Sequence, residues 1–383
     1  MKIGILTLPL HVNYGGILQA YALQTVLERM GHNVQVFHKD ESYKIKIPPH
    51  FPESIKIYSK RFLKKLFIGG GYRIFAEKYY NKEYEITTQK TREFVNKYIH
   101  LCKLDSFFEI KQGDFDAIVV GSDQVWRPRY FRNMWKTNVE NMFLDFTKNW
   151  NIRRIAYAPS FGVDEWEFSS EETNLCKTAI ARFDAVSVRE NGGKKLCMSF
   201  FDTKAEVVLD PTMLLSELDY GKLANQKIET NKYGYLLTYI LDFSKETEKL
   251  IERISSEKHL SIFNASSKVD CIEAPLKEKM QISVEEWLRG FANAEFVVTD
   301  SFHACVFSII FNKPFVVIGN KMRGMDRFYS LLKKFGLEEN MLDAGNTYDS
   351  KKTYALHNGV KEILRTLRDD SLRFLTEALN GKM

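Results

Sequence analysis

Short apolar runs alternate along the chain with longer stretches in which apolar residues recur every three or four positions. The runs predict buried strands of parallel sheets, and the longer spacing predicts amphipathic helices. In the first half we predict a helix at 17–30 and strands at 2–8, 33–37, 116–120, 154–158, 185–188 and 206–209. In the second half we predict strands at 235–241, 260–263, 296–298 and 315–318, and helices at 244–257, 302–311 and 360–383.

This alternation predicts an α/β protein with two Rossmann-like domains that face each other across a cleft. A length of 383 residues suits two domains. We expect the first domain at 1–222 and the second at 233–340, joined by the polar run LANQKIETNK. Residues 341–383 are expected to form a helical segment that crosses back to the first domain. Residues 40–112 interrupt the β–α rhythm and are predicted to be a basic helical insertion.

The positive charge is concentrated in that insertion. The whole chain has a net charge of +6, but residues 44–103 alone carry 14 Lys and Arg against 5 Glu. A nucleic-acid-binding protein more often spreads its basic surface over the fold, so we expect no nucleic-acid partner. Inside the segment, four apolar residues recur at helical spacing: Ile55, Tyr58, Phe62 and Leu66. Most of the lysines lie on the other side of this predicted helix. This basic amphipathic helix either packs on the first domain with a solvated basic face, or docks on an anionic membrane surface or a phosphate-bearing acceptor.

The cysteine pattern fits a reducing compartment. The five cysteines include no CxxC pair, so neither a disulfide framework nor a zinc site is indicated. The start MKIGILTLPL resembles a first strand more than a leader, and no apolar run approaches the ~20 residues of a membrane span. We expect a cytoplasmic protein, either in solution or peripheral at the inner membrane face.

The strongest candidate for chemistry lies where strand 296–298 turns into a helix. Ligands of open α/β sheets bind beyond the carboxyl ends of the strands, where free N–H groups at a helix start favour an anion. His303 stands at this turn and can exchange a proton near neutral pH. It is either functional or a partly buried histidine bonded to the backbone. Asp300 either orients His303 or caps the helix.

Other strand ends carry further candidates. Arg189 can bind a carboxylate or phosphate in two bonds, or can pair with a neighbouring carboxylate. Asp123 is a candidate base or hydroxyl acceptor, with helix capping as the alternative. Arg327, and less so Arg323, could reach the cleft of His303 or remain solvated. Asp210 is interpreted as part of a structural turn.

Seven stretches together resemble the polysaccharide pyruvyl transferase family. They are NYGGILQAYALQ near the start, GSDQVW at 121–126, YAPSFG at 157–162, SVRE at 187–190, LDPT at 209–212, TDSFHA at 299–304 and the region of Arg327. The resemblance covers most of the chain outside 40–112. It implies a GT-B-like pair of Rossmann-type domains and transfer of the pyruvyl group of phosphoenolpyruvate to a saccharide acceptor, free or lipid-linked. No cofactor or metal ion is implied.

The resemblance also assigns roles to residues. Arg189 matches the family arginine that binds phosphoenolpyruvate, and His303 matches the family histidine that acts as an acid. Some members have an arginine where this chain has Ser301, so Arg327 or Lys321 is expected to supply the missing charge. Asp123 is the candidate base. Further substrate contacts are expected from four residues near the same turns: Asn13, Gly15, Ser160 and Asp300.

Two other functions stay open at this point. A two-domain cleft would equally suit a GT-B glycosyltransferase that uses a sugar nucleotide. The serine at position 301 also keeps open a non-catalytic, anion-binding partner in glycan assembly.

Overall fold

The computed structural model describes residues 1–44, 53–68, 74–224, 234–271, 274–319, 324–343, 345 and 347–381. Its first half is built on a seven-stranded parallel sheet with the order β3-β2-β1-β4-β5-β6-β7. These strands are β1 Lys2–Leu6, β2 Asn33–His38, β3 Leu101–Lys103, β4 Ala117–Val120, β5 Arg153–Ala156, β6 Ala185–Val188 and β7 Glu206–Val207. The helices are α1 Tyr14–Arg29, α2 Glu53–Ile68, α3 Ala76–Thr87, α4 Gln89–Tyr98, α5 Pro128–Met134, α6 Ser170–Ile180, α7 Asn191–Phe201 and α8 Glu217–Leu223.

The second half has a five-stranded parallel sheet with the order β12-β11-β10-β8-β9. Its strands are β8 Tyr235–Tyr239, β9 Ser261–Asn264, β10 Ala294–Thr299, β11 Phe315–Ile318 and β12 Met341–Leu342. The remaining helices are α9 Lys245–Lys258, α10 Leu276–Lys279, α11 Val284–Asn293, α12 Phe302–Ile310, α13 Asp326–Phe335 and α14 Val360–Asn380. The prediction of two Rossmann-like units, each with a parallel sheet, is confirmed.

Three element predictions need correction. Helix α1 begins at Tyr14, earlier than predicted, because the side chain of Asn13 accepts the N–H groups of Gly15 and Gly16. Strand β3 lies inside the predicted insertion 40–112 yet pairs with β2, so the end of that region belongs to the first sheet. Strand β12 opens the segment predicted to be helical and forms an edge of the second sheet.

The basic helix α2 does not bury the apolar face that the sequence predicts. Ile55, Phe62 and Leu66 are exposed, and Tyr58 alone of that set is partly covered, by the ring of Phe75 at 4.9 Å between centroids. The expectation that the excursion packs on the first domain therefore does not hold for this face of α2.

The two sheets are joined by aromatic packing and by the last helix. Tyr14 at the start of α1 stacks on Trp287 of α11, with 5.4 Å between ring centroids, and its hydroxyl donates to the carbonyl of Ile282. Helix α14 contacts the first half, because Arg153 donates to the carbonyl of Ala378 and Arg368 donates to that of Met213. No helix within the described ranges is long and apolar enough to cross a membrane.

Candidate active site

His303 lies in the first turn of α12, directly after β10, and it contacts the other half of the molecule. The residue is 5% exposed. It packs against Gly15 in the first turn of α1 so closely that a Cβ built on Gly15 would lie 2.1 Å from Nδ1. On its other side, Nε2 of His303 is 3.6 Å from Oδ2 of Asp210, which follows β7. The histidine therefore sits between two strand ends of the first sheet.

Asp210 connects His303 with Arg189. Nη1 of Arg189 donates to Oδ2 of Asp210 at 2.9 Å, while Oδ1 accepts the N–H and the hydroxyl of Thr212 at 3.0 and 2.7 Å. Burial opposes its charge, but His303 and Arg189 outweigh that cost and hold the pKa of Asp210 well below its usual range. Asp210 is thus an ionised carboxylate shared by a side chain from each half.

Two guanidinium groups meet at the ring of Phe302. The centroid of that ring is 4.4 Å from Cζ of Arg189 and 5.7 Å from Cζ of Arg327. Arg189 comes from the end of β6 and Arg327 from α13, and both are buried. Burial and the charge of Arg189 lower the pKa of Arg327 to about 10. The site therefore holds two like charges close together in a poorly solvated place.

Carboxylates offset part of this charge. Oδ1 of Asp123 is 3.6 Å from Nη2 of Arg189, and Oε2 of Glu190 is 3.7 Å from its Nε. Although burial disfavours the cation, Asp210, Asp123 and Glu190 raise the pKa of Arg189. Burial raises the pKa of Glu190, whose other oxygen accepts the hydroxyl of Ser160 at 2.8 Å.

Several buried donors at this place have no hydrogen-bond partner among the described residues. They are Nε and Nη2 of Arg189, Nε of Arg327 and Nε2 of His303. A buried polar group without a hydrogen-bond partner costs free energy of folding. Several such groups at one place indicate a site where a bound ligand would supply the partners. The donor set, two guanidinium groups and an imidazole, suits an anion with several oxygen atoms.

The structure brings together five of the residues predicted from the sequence. They are His303, Asp123, Arg189, Arg327 and Gly15. Ser160 is connected to the site through Glu190, whose carboxylate accepts the hydroxyl of Ser160. Ser301 is buried beside the site and precedes α12, but its side chain does not cap that helix.

Four predicted residues are bonded to other parts of the chain or cannot be placed. Both carboxylate oxygens of Asp300 accept backbone N–H groups after β8, from Leu241 and Asp242, and its roles of orienting His303 or capping α12 stay predictions. Asn13 is exposed and uses its side-chain oxygen to cap α1. Lys321 and Arg323 lie outside the described residues.

Sequence reasoning missed Asp210 and Phe302. Asp210 was interpreted as a turn residue, although it follows a strand of the same sheet in the way that Asp123 follows β4. Carboxyl ends of parallel strands share one edge, so that shared position was the available signal. Nothing in the sequence singles out Phe302 from its apolar helix.

A comparison with protein-family models decides the family. The model described as polysaccharide pyruvyl transferase matches residues 13–322. The chain belongs to the polysaccharide pyruvyl transferase family. The match includes every residue of the site described above except Arg327, which follows it by five positions. No curated protein sequence matches the chain.

Two of the solved structures with a similar architecture contain nucleotide compounds. The UDP-GlcNAc 2-epimerase of Methanocaldococcus jannaschii, in complex with UDP-GlcNAc and UDP, is 15% identical, with a TM-score of 0.46 over 98% of this chain and 99% of that one. The E. coli heptosyltransferase with ADP is 12% identical, with a TM-score of 0.39 over 96% and 100%. The predicted fold class, GT-B-like with two Rossmann-like domains, is confirmed by the two parallel sheets themselves.

Proposed function

We propose that this protein transfers the pyruvyl group of phosphoenolpyruvate to two hydroxyl groups of a saccharide, with release of phosphate. The supporting observation is the pair of buried guanidinium groups, Arg189 and Arg327, that both contact the ring of Phe302. Phosphoenolpyruvate carries a carboxylate and a phosphate, so it can use two cationic groups at once. Arg327 would supply the charge for which other family members use an arginine at the position of Ser301.

His303 is the proposed acid. An anion bound beside the ring favours its protonated form, and Nε2, which has no hydrogen-bond partner among the described residues, is the atom that would hold the transferable proton. Asp210, ionised and 3.6 Å from the same nitrogen, would stabilise that imidazolium and fix the ring. Asp123, beside Arg189, is the proposed base for the acceptor hydroxyl.

The proposed reaction balances without water or an oxidant. His303 gives its proton to the methylene carbon, which becomes a methyl group, and the oxygen of one acceptor hydroxyl bonds to C2. The bond between C2 and the phosphate oxygen then breaks, and a second hydroxyl closes the ketal. One of the two hydroxyl protons restores the proton that His303 gave up, and the other protonates the departing phosphate. No metal ion or cofactor takes part in this scheme.

We place the reaction in the cytoplasm, on a saccharide precursor of a surface or extracellular polysaccharide, whether free or lipid-linked. The family assignment supports a polysaccharide acceptor. The sugar and its linkage would follow from a screen of candidate glycans.

The test is phosphate release from phosphoenolpyruvate that depends on an added glycan. His303→Gln should reduce release by at least about 100-fold, because general acid catalysis contributes that much. His100→Gln is the matched control, since His100 is exposed and pairs with Glu28 away from the site. Undiminished release in His303→Gln would remove His303 from the mechanism.

Ligand-induced thermal stabilisation separates the alternatives. A pyruvyl transferase should be stabilised by phosphoenolpyruvate. A glycosyltransferase that uses a sugar nucleotide should be stabilised by UDP-sugars instead. Stabilisation by phosphoenolpyruvate without turnover on any glycan would indicate a non-catalytic anion-binding partner.

A further inference from the structure

Helix α2 carries the largest set of exposed apolar side chains on any one described helix. Leu63, Leu66 and Phe67 are 56, 66 and 88% exposed, and Phe62 is 52% exposed. Single exposed apolar residues are normal on protein surfaces, but a contiguous group marks an interaction site. Nothing in the transferase chemistry uses this helix.

The attachment of α2 to the body shows which side faces outward. Arg61 donates to Glu77 of α3 at 2.7 Å and to the carbonyl of Ile74, and Tyr58 contacts Phe75. Tyr58 and Arg61 are three residues apart and therefore share one side of the helix. At about 100° per residue, Leu63 and Phe67 lie nearly opposite this side, and Leu66 lies about 110° from it. The apolar group is directed away from the protein.

Lysines border this apolar surface. The sequence of α2 contains five Lys and Arg against one Glu. Lys60 and Lys64 lie beside Phe67 at one edge of the apolar group, Lys56 precedes the group by about two turns, and all three lysines are exposed. In the described part of the chain, none of the three forms an ion pair. Apolar residues flanked by cations are typical of helices that lie in a membrane interface.

We propose that α2 docks this protein on an anionic lipid surface, with Leu63, Leu66 and Phe67 inserted among the acyl chains and the lysines on lipid phosphates. A second copy of the chain fits this face less well, because pairing two α2 helices would bring five cations against five with one Glu on each side. Anionic headgroups neutralise the same charges. Docking here would hold the protein where a lipid-linked saccharide is presented.

Co-sedimentation of the full-length protein with vesicles tests the proposal. Binding is expected to vesicles of phosphatidylcholine mixed with phosphatidylglycerol, at a partition coefficient at least about tenfold higher than to pure phosphatidylcholine. Raising the salt to roughly 0.5 M should remove most of this difference. Equal binding to the two kinds of vesicle, or none to either, would overturn the proposal.

Three double variants locate the surface. Leu66→Ser with Phe67→Ser removes apolar anchors, and Lys60→Glu with Lys64→Glu removes charge; each should lower the partition coefficient at least about tenfold. The matched control is Phe108→Ser with Leu218→Ser, since these residues are 68 and 77% exposed and lie outside α2. It should bind as the unmodified protein does. Loss of binding in the control, or retention in both α2 variants, would contradict the assignment.

Two measurements accompany the variants. Thermal unfolding should be unchanged, because the replaced side chains are exposed. Light scattering reports the oligomeric state. If Leu66→Ser with Phe67→Ser turns a dimer into a monomer and no vesicle binding is found, the face belongs to a second copy of the chain and the lipid proposal fails. Vesicle binding needs no phosphoenolpyruvate, so its outcome is independent of the transferase activity.

Discussion

Gly15 and His303 lie in contact across the two halves of the protein, with the first turn of α1 against the imidazole ring. A side chain at position 15 would occupy the space of Nδ1 and Cγ of His303, at 2.1 and 2.2 Å from the new Cβ. The ring can therefore hold its place beside Asp210 only because residue 15 has no side chain.

Gly15→Ala should displace His303 while leaving the fold intact. A misplacement of about 1 Å can cost about 100-fold in rate, so phosphate release should fall by that order. Gly16→Ala is the matched control, because its nearest neighbours would be 3.6 Å away, and it should keep most of the activity. Equal activity in the two variants would show that the close contact at position 15 has no effect on catalysis.

Asp210→Asn should destabilise the protein. The change keeps the shape of the side chain but removes the negative charge that binds Arg189 and His303. The buried guanidinium and imidazole groups then lack a carboxylate that offsets their desolvation. We expect a loss of about 3 kcal/mol in the free energy of unfolding at neutral pH, measured with denaturant. Asp370→Asn, which breaks only an exposed pair with Arg373, should cost under about 1 kcal/mol.

The same variant predicts a pH dependence. The pKa of Asp210 is lower in the folded protein than in the unfolded chain, so its ionised form contributes stability that is present above its unfolded pKa and is lost as the pH falls. The stability difference between the unmodified protein and Asp210→Asn should therefore shrink from about pH 5 to about pH 3. A difference that stays constant over this range would show that the carboxylate is not stabilised by its neighbours.

Arg327→Met should separate stability from function. Burial and Arg189 lower the pKa of Arg327 to about 10, so its charge costs stability below that pH, and an apolar side chain should stabilise the unliganded protein by about 1 kcal/mol. Stabilisation by phosphoenolpyruvate should be lost.

Arg154→Met is the contrast, because Arg154 is equally buried but donates to Thr147, Ile152 and Trp150. That change should destabilise by about 3 kcal/mol. Undiminished stabilisation by phosphoenolpyruvate in Arg327→Met would exclude Arg327 from the donor site.

Asp123→Asn tests the base. Residue 123 has a φ of 62°, which Asn adopts as readily as Asp, so the backbone should not change. Loss of a general base should lower turnover by about 100-fold or more, whereas binding of phosphoenolpyruvate should persist because a negative charge near Arg189 is removed. Normal turnover would limit Asp123 to pairing with Arg189.

Much of the architecture could be predicted from the sequence, because buried parallel strands are continuous apolar runs. Strands β6 and β11 match their predicted bounds, and most others differ by one or two residues at their ends. Strand β3 was missed because three residues at a sheet edge leave no apolar run to detect. Helix α2 was predicted correctly as a helix, but periodicity alone does not tell whether an apolar face is covered.

The site was predictable only in part. His303 and Arg189 follow strands, and the shared edge of parallel sheets suggested that each could face the cleft. Their connection through Asp210 depends on a contact between residues 93 positions apart, from 210 to 303, for which a single sequence holds no signal. The bonds from Asp300 to backbone N–H groups after β8 also join distant parts of the chain, and the sequence gives no signal for them.

The start of α7 is held by side chains from the opposite domain. Asp326 and Ser330 of α13 accept the N–H groups of Gly192 and Asn191, and the neighbouring site leaves His303 and Arg189 almost without solvent contact. A ligand of the proposed site would have to reach atoms that have almost no solvent contact in this arrangement. If the protein is the proposed transferase, we expect these two hydrogen bonds to break when the halves separate to admit a substrate, so that the measured rate would depend on their breaking as well as on proton transfer.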